Sequence, residues 1–133
     1  YFYLPFMPKL GIVPDLGTTW FLTRQLGRAR ATALTLMGDR LSAEQAQQWG
    51  LIWAVCDDAY LEEQARALCK RLAASPAHAA VETRMAVEAA LVNGLNEQLA
   101  YEAQRQRDLI DRATFAEGVS AFLARREPVF KTG

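Results

Sequence analysis

Residues 9–20 of the chain read KLGIVPDLGTTW, and they mark the point at which an extended start gives way to helices. Prolines and glycines punctuate the sequence from Pro5 to Gly17, so residues 1–17 are predicted to be extended or looped. From Thr18 onward, apolar residues recur at the spacing of core-facing helices. The sequence therefore predicts a mainly α fold with an extended N-terminal segment and at most one short strand.

Glycines and capping patterns divide the remaining sequence into helices. Gly27 and Gly38 are expected to end helices over residues 18–26 and 28–37, because glycine adopts the left-handed conformation without a Cβ clash. Two capping-box patterns, residues 42–45 and 114–117, predict a short helix up to Trp49 and a last helix that Pro128 ends. Further helices are expected over residues 61–74, from 76 to the Asn93-Gly94 pair and over 96–112, whereas only residues 51–56 suggest a strand.

The composition indicates one globular domain. The chain has 133 residues, of which 51% are hydrophobic, and its formal charge is zero, which argues against a broad nucleic-acid or membrane-surface footprint. The two cysteines and single histidine cannot build a zinc site, so no metal is expected and a reduced, cytoplasmic setting is favoured. No apolar run has the length of a membrane span and no signal peptide is visible, so neither a membrane nor a nucleic acid is expected as a partner.

The aromatic opening of the chain, YFYLPFMP over residues 1–8, would expose much apolar surface at a free terminus. It indicates either a buried first strand or loop, or a segment continuous with upstream chain.

The sequence offers few groups for catalysis. It has no Ser nucleophile elbow, phosphate loop, dinucleotide fingerprint or zinc-protease motif. A Ser/His or Cys/His pair would need His78, which lies between alanines at a helix start and is interpreted as an ordinary surface or cap residue. Asp15 lies at or just before the first turn of a helix. It can be an N-cap, or a carboxylate beside a ligand at the helix N-terminus, and both roles can hold at once.

Residues 9–20 resemble the L-G-x-x-P-D-x-G-G-T-W motif of the crotonase (enoyl-CoA hydratase/isomerase) superfamily. The resemblance is closest to the ring-1,2-epoxyphenylacetyl-CoA isomerase branch. It continues in register through LGRARA at residues 26–31, MGDRLSAEQA at 37–46, WGLIW at 49–53 and EGVSAFLARREPVF at 117–130. These ordered blocks span nearly the whole chain, so chance is a poor explanation for them.

The resemblance implies that the chain is the C-terminal helical, orthogonal-bundle-like part of a crotonase fold. Residues 1–17 would carry the active-site loop at the end of a missing N-terminal spiral domain, and residues 18–133 would form the helical and oligomerisation domain of a homotrimer or hexamer. The spiral domain would supply the oxyanion hole and the first half of the coenzyme A pocket. The chain alone is therefore expected to be inactive.

The resemblance also implies a reaction. In related enzymes the Asp matching Asp15 moves protons at an acyl-CoA thioester, whereas hydratases use two glutamates, one of which would fall at Met7. A single carboxylate favours an isomerase that works through a thioester enolate. An enoyl-CoA hydratase and a non-catalytic trimerisation module remain the alternatives. Coenzyme A would be part of the substrate, and no separate cofactor is expected.

Other site residues follow from the same resemblance. Phe122 and Arg125 match the Phe and Lys with which hydratase relatives reach the adenine and phosphate of coenzyme A, although Arg125 can equally be a solvated helix end, and Lys131 could add charge nearby. Leu16, Gly17 and Trp20 are assigned to the substrate pocket, with core packing as the alternative for Trp20. The chain departs from the family pattern at Leu16 and at Thr18, which replaces a glycine.

Overall fold

The computed structural model describes residues 1–130, and over that range the fold is helical, as predicted. The α-helices of these residues are α1 (Phe6–Leu10), α2 (Thr18–Met37), α3 (Ala43–Gln48), α4 (Leu61–Ala73), α5 (Ala77–Ala90), α6 (Leu95–Ile110) and α7 (Ala113–Leu123). The chain forms two compact units, the first over Tyr1–Tyr60 and the second from Leu61 onward. The predicted division of the family fold at residue 17 concerns the whole protein and stays a prediction.

The first unit has its core where α2 packs against the segment that leads into α3. Leu26 and Leu34 of α2 are buried against Leu41 and Ala46. The backbone is non-helical at Gly27 (φ 75°, ψ 164°), so α2 consists of two helical segments that meet at this residue, as the sequence predicted. This combination of angles is open essentially to glycine alone. The break lets Leu26 and Leu34, which lie on different segments, reach the same core.

The predicted N-cap role of Ser42 at the start of α3 is confirmed, whereas the return bond from the Gln45 side chain that would complete a capping box does not occur within residues 1–130. The Ser42 hydroxyl oxygen accepts a hydrogen bond from the backbone N–H of Gln45 at 3.1 Å, and Ser42 itself has extended backbone angles. The residue before it, Leu41, is 2% exposed and pairs with Phe2 through two backbone hydrogen bonds of 2.8 and 2.9 Å. This isolated bridge is the β pairing that ties the start of the chain to the core of the first unit.

Two local predictions in the first unit need correction. Residues 51–56 form bends and irregular chain instead of a strand, and the N–H of Leu51 bonds to the carbonyl of Ala46 at 2.9 Å, closing α3. A strand needs a neighbour for its backbone groups, and none pairs with these residues within the described chain. The segment expected to be extended contains α1, in which Pro8 is tolerated because a proline in a first turn sacrifices no helical hydrogen bond.

The second unit is built on the packing of α5 and α6. The Gln98 side-chain amide donates to the carbonyl of Ala86 at 3.1 Å, and Arg105 approaches Glu82 at 3.7 Å. The Glu97 carboxylate accepts the backbone N–H of Gly94 at 3.0 Å and thereby caps the start of α6.

The start of α7 differs from the prediction. The extended residue before it is Arg112 (φ −84°, ψ 146°), so α7 begins at Ala113 and Thr114 lies inside its first turn. Thr114 therefore cannot be the N-cap, and the predicted capping box over residues 114–117 is wrong. The Thr114 hydroxyl instead forms a 3.0 Å hydrogen bond with Nε2 of His78.

The end of α7 also differs, because the helix stops at Leu123, well before Pro128. Arg125 adopts a left-handed conformation (φ 51°). The N–H of Arg126 bonds to the carbonyl of Ala121 at 3.0 Å, and that of Arg125 bonds to Phe122 at 3.1 Å. This pair of bonds is a Schellman motif with arginine at the position where glycine is usual.

Replacing Ser42 with alanine should destabilise the first unit. Ser42→Ala removes the acceptor for the Gln45 N–H, and the loss of an N-cap of this kind costs about 1 kcal/mol. Urea unfolding of the protein measures the change. Ser120→Ala is the matched control, since Ser120 is exposed and makes no side-chain hydrogen bond within residues 1–130. Equal stability of the two variants would contradict the capping role.

Candidate functional site

The segment before α2 is a tight turn with two left-handed residues. The backbone N–H of Thr18 donates to the carbonyl oxygen of Asp15 at 2.9 Å. The residues between them, Leu16 and Gly17, have φ values of 52° and 77°. Positive φ at both central positions is the pattern of a type I′ turn. The helix α2 therefore begins directly after this turn, at Thr18, and Gly17 is the N-cap of the helix.

The Asp15 carboxylate is exposed and makes no hydrogen bond or ion pair within residues 1–130. The N-cap role considered for it is wrong, because Gly17 occupies that position and no side chain caps the helix. It is the Asp15 carbonyl, not its carboxylate, that fixes the turn. The carboxylate is consequently left uncommitted next to a helix N-terminus, where the backbone amides favour negative charge.

Leu16 adopts a left-handed backbone conformation that is unfavourable for leucine. A left-handed conformation costs a residue with a Cβ roughly 1–2 kcal/mol. The side chain is 92% exposed, so packing within the chain does not offset this cost. At Gly17, a Cβ would come within 3.1 Å of the Phe21 ring, so this position has both a torsional and a spatial reason to be glycine.

Trp20 lies on the outer side of the first turn of α2. The Arg24 guanidinium stacks over its indole at 3.8 Å, and the Phe21 ring meets it edge-on with 4.9 Å between centroids. Trp20 is 44% exposed, so the alternative of core packing does not hold within this chain. Its assignment to a substrate pocket stays a prediction, as do those of Leu16 and Gly17.

An apolar cavity of about 200 Å³ lies on the other side of the same helix start. Thr18 and Leu22, four residues apart on one face of α2, contribute to its lining, whereas Leu16, Gly17 and Trp20 do not. The remaining lining residues are Phe2, Tyr3, Leu4, Leu34, Leu51 and Ile52. The four-residue spacing of Thr18 and Leu22, which also leads to the buried Leu26, is the sequence signal that could have identified this face.

Phe122 and Arg125 lie at the end of α7, in the second unit, whereas Asp15 and its turn belong to the first. Phe122 is 82% exposed, and Arg125 is exposed without a side-chain hydrogen bond or ion pair inside residues 1–130. Neither side chain is held by a hydrogen bond or ion pair within residues 1–130, and their coenzyme A role stays a prediction. Lys131 lies outside the described residues.

Glu117 organises the chain that follows α7. Its carboxylate accepts two hydrogen bonds from the Arg126 guanidinium, at 2.7 and 2.9 Å, and a third from the backbone N–H of Val129 at 2.7 Å. The Arg126 bonds, followed by the Val129 bond, lower the pKa of Glu117 to about 2. This ion pair was not foreseen from the sequence, because its partners are nine residues apart, beyond the three- and four-residue spacings of helical pairs.

His78 is half-buried, not the surface or cap residue that the sequence indicated. Its bond to Thr114 joins the first turns of α5 and α7. Both residues border an open cavity of about 620 Å³ in the second unit. No group of metal-ligating side chains occurs within residues 1–130, and none of the helices described there is long and apolar enough to cross a membrane.

Comparison with known proteins identifies the family. The sequence profile of the family described as Enoyl-CoA hydratase/isomerase matches residues 1–133. The chain is 48% identical to the 1,2-epoxyphenylacetyl-CoA isomerase of Escherichia coli over 122 residues, covering 92% of this chain and 47% of that protein. It is 31% identical to the trans-2-decenoyl-acyl-carrier-protein isomerase of Streptococcus mutans, again over 92% of this chain and 46% of that protein.

A crystal structure of an enoyl-CoA hydratase from a Polaromonas species superposes with a TM-score of 0.90 at 29% identity, covering 98% of this chain and 50% of that one. The chain therefore belongs to the enoyl-CoA hydratase/isomerase family, and the crotonase resemblance found in the sequence is confirmed. The chain spans about half the length of the curated relatives it matches. Its helical architecture agrees with the predicted C-terminal helical part of the crotonase fold.

Relief of the strained turn should stabilise the protein. Leu16→Gly removes the Cβ that disfavours φ near 52° and should raise the free energy of unfolding by about 1 kcal/mol, a gain that the greater flexibility of the unfolded chain reduces. Leu16→Ala is the matched control, because it keeps the Cβ and should leave stability nearly unchanged. Chemical denaturation compares the three proteins, and equal stability of the Gly and Ala variants would show that the turn is not strained.

The Glu117 ion pair should make stability depend on acid pH. The folded-state pKa of about 2 lies below the ordinary value of 4.5, so the stabilisation is fully present above pH 4.5 and is lost as the pH falls toward 2. Glu117→Gln should flatten the fall in stability over this range, which unfolding curves at successive pH values can follow. Glu62→Gln, in the exposed Glu62–Arg66 pair of α4, is the control and should leave the slope close to wild type.

Proposed function

We propose that the chain is the C-terminal half of an acyl-CoA isomerase that shifts protons on a coenzyme A thioester, with Asp15 as its acid/base. The observation that carries this proposal is the uncommitted Asp15 carboxylate, fixed on a type I′ turn at the start of α2. The similarity to two isomerases supports the reaction class. A carboxylate in this position removes a proton from one carbon of the acyl group and returns it to another.

The reaction passes through a thioester enolate, whose oxygen requires hydrogen-bond donors. Each donor in such a site is worth about 3 kcal/mol of transition-state stabilisation. In the proposed enzyme these donors come from the N-terminal spiral domain that the family resemblance implies. Met7 stands where the resemblance expects a second hydratase glutamate, and its thioether cannot transfer protons. Within this chain, Asp15 is the carboxylate proposed to move the proton in both directions.

The exposed apolar surface supports a role inside a larger assembly. Large apolar side chains are exposed on α2 and on every helix of the second unit, including Phe21, Val81, Leu99, Phe115 and Leu123. Single exposed apolar residues are ordinary, but this amount of apolar surface is typical of faces that further protein covers. We assign the covering role to the spiral domain and to neighbouring subunits of a homotrimer or hexamer.

Phe122 and Arg125 are the proposed contacts to the adenine and phosphate of coenzyme A, which enters as part of the substrate. A guanidinium is a strong phosphate partner because its donors form charge-assisted hydrogen bonds. No separate cofactor or metal is needed for a proton shift of this kind. The free thiols Cys56 and Cys69 are compatible with the cytoplasmic setting that we propose.

Hydration of an enoyl-CoA is the second candidate reaction. The likeness to the Polaromonas enoyl-CoA hydratase, with a TM-score of 0.90, is the observation that favours it. The two reactions differ in their products, because hydration adds water to the double bond and isomerisation leaves the elemental composition of the thioester unchanged. Mass analysis of the product distinguishes them.

Replacing Asp15 with asparagine tests the acid/base role. In the enzyme that carries this chain, Asp15→Asn should lower kcat about 1,000-fold, within the range that general acid–base groups contribute, and should abolish proton exchange at the acyl carbons. Binding of the thioester should hardly change, because the amide is nearly isosteric with the carboxylate. Deuterium exchange followed by mass spectrometry and calorimetric binding are the two measurements.

Asp39→Asn is the matched control, since Asp39 is also an exposed aspartate next to an end of α2. It should retain wild-type turnover and exchange. Exchange at the wild-type rate in Asp15→Asn would remove Asp15 from the mechanism and leave this chain as the helical assembly part of an enzyme whose acid/base lies elsewhere.

A further inference from the structure

The end of α7 holds a residue in a conformation that its own side chain disfavours. Arg125 has φ 51°, a left-handed value that costs a residue with a Cβ roughly 1–2 kcal/mol. Such a conformation persists only where the surrounding structure determines it. The two Schellman hydrogen bonds, to Ala121 and Phe122, hold the backbone on the helix side of Arg125.

The other side of Arg125 is held by the Glu117–Arg126 ion pair. Arg126 directly follows Arg125, and its guanidinium is fixed by both oxygens of Glu117. The same carboxylate accepts the N–H of Val129, which prevents the segment after Arg126 from swinging away from α7. A third bond, from the Arg126 guanidinium to the carbonyl of Glu127 at 3.1 Å, ties the guanidinium to this segment as well.

We infer that Glu117 and Arg126 are positioning residues for Arg125, holding the left-handed turn that presents the Arg125 guanidinium to the phosphates of coenzyme A. This inference rests on the proposed function of Arg125. Arg126 is the next residue in the sequence but has a different role, because its guanidinium is already hydrogen-bonded to the Glu117 carboxylate. The arrangement leaves the first of the two arginines free for a ligand and uses the second to fix the turn.

Preorganisation of the turn is the reason why the ion pair should strengthen binding of coenzyme A by Arg125. An exposed arginine loses side-chain and backbone freedom when it binds a phosphate, and a turn fixed in advance has already lost the backbone part. The ion pair should therefore affect binding of the nucleotide end of the substrate and leave proton transfer at the acyl end unaltered. An ion pair that only stabilised the fold would affect binding of the nucleotide end and proton transfer at the acyl end together. The positioning role and the purely structural role therefore have different kinetic signatures.

The test compares one acyl group carried on coenzyme A with the same acyl group carried on pantetheine, which lacks the nucleotide phosphates. In the enzyme that carries this chain, Glu117→Gln should raise KM for the acyl-CoA about 5-fold with kcat unchanged and leave KM for the acyl-pantetheine unchanged. Arg125→Ala should raise KM for the acyl-CoA about 10-fold, the size of one charge-assisted hydrogen bond. The double variant should match Arg125→Ala, because the ion pair then has no guanidinium to position.

Glu62→Gln, which breaks the exposed Glu62–Arg66 pair by the same chemical change, should leave both KM values at wild type. Arg126→Lys keeps the charge and removes the two-point geometry, so it should reproduce the selective rise and serves if Glu117→Gln does not fold. Unchanged KM for acyl-CoA in these variants, or equal losses with both thioesters, would overturn the positioning role. An enzyme whose wild type does not act on acyl-CoA would instead refute the proposed function.

Discussion

The hydrogen bond from the Thr18 amide to the Asp15 carbonyl is the constraint on which the start of α2 depends. It closes a turn through left-handed Leu16 and Gly17, and thereby sets where α2 begins. Since the backbone carbonyl and not the side chain makes this bond, the Asp15 carboxylate is left without a partner within residues 1–130. The first two turns of α2 also carry Thr18 and Leu22, which line an apolar cavity. The proposed catalytic residue and a cavity wall thus lie on one short segment of the chain.

Leu16 and Arg125 are the non-glycine residues with positive φ in the described part of the chain. The sequence resemblance assigns both residues to the functional site. A strained backbone conformation persists only where the surrounding structure holds it in place. Such conformations cluster at active sites and ligand-binding turns, where an exact geometry is needed. The two turns are held differently, the first by a backbone hydrogen bond and the second by Schellman bonds and the Glu117–Arg126 ion pair.

Local signals predicted much of the fold. The break at Gly27 and the Ser42 cap were confirmed, because each depends on residues close in sequence. The strand over residues 51–56 failed because a strand needs a pairing partner that a local pattern does not contain. The second capping box failed because α7 begins one residue earlier, at Ala113, and the Thr114 hydroxyl bonds to His78 instead. Of the site, the position of Asp15 before a helix was predictable. The left-handed Leu16 was not, because leucine disfavours that conformation and only the folded turn enforces it.

The break at Gly27 limits which residues this position accepts, and the limit does not come from lack of space. A Cβ built at this residue meets no atom within 4 Å, so volume places no limit on what could occupy the position. The limit is torsional, since φ 75° with ψ 164° is closed to amino acids that have a side chain. Alanine, although small enough for the space, would therefore disturb the backbone at the point where the two segments of α2 meet.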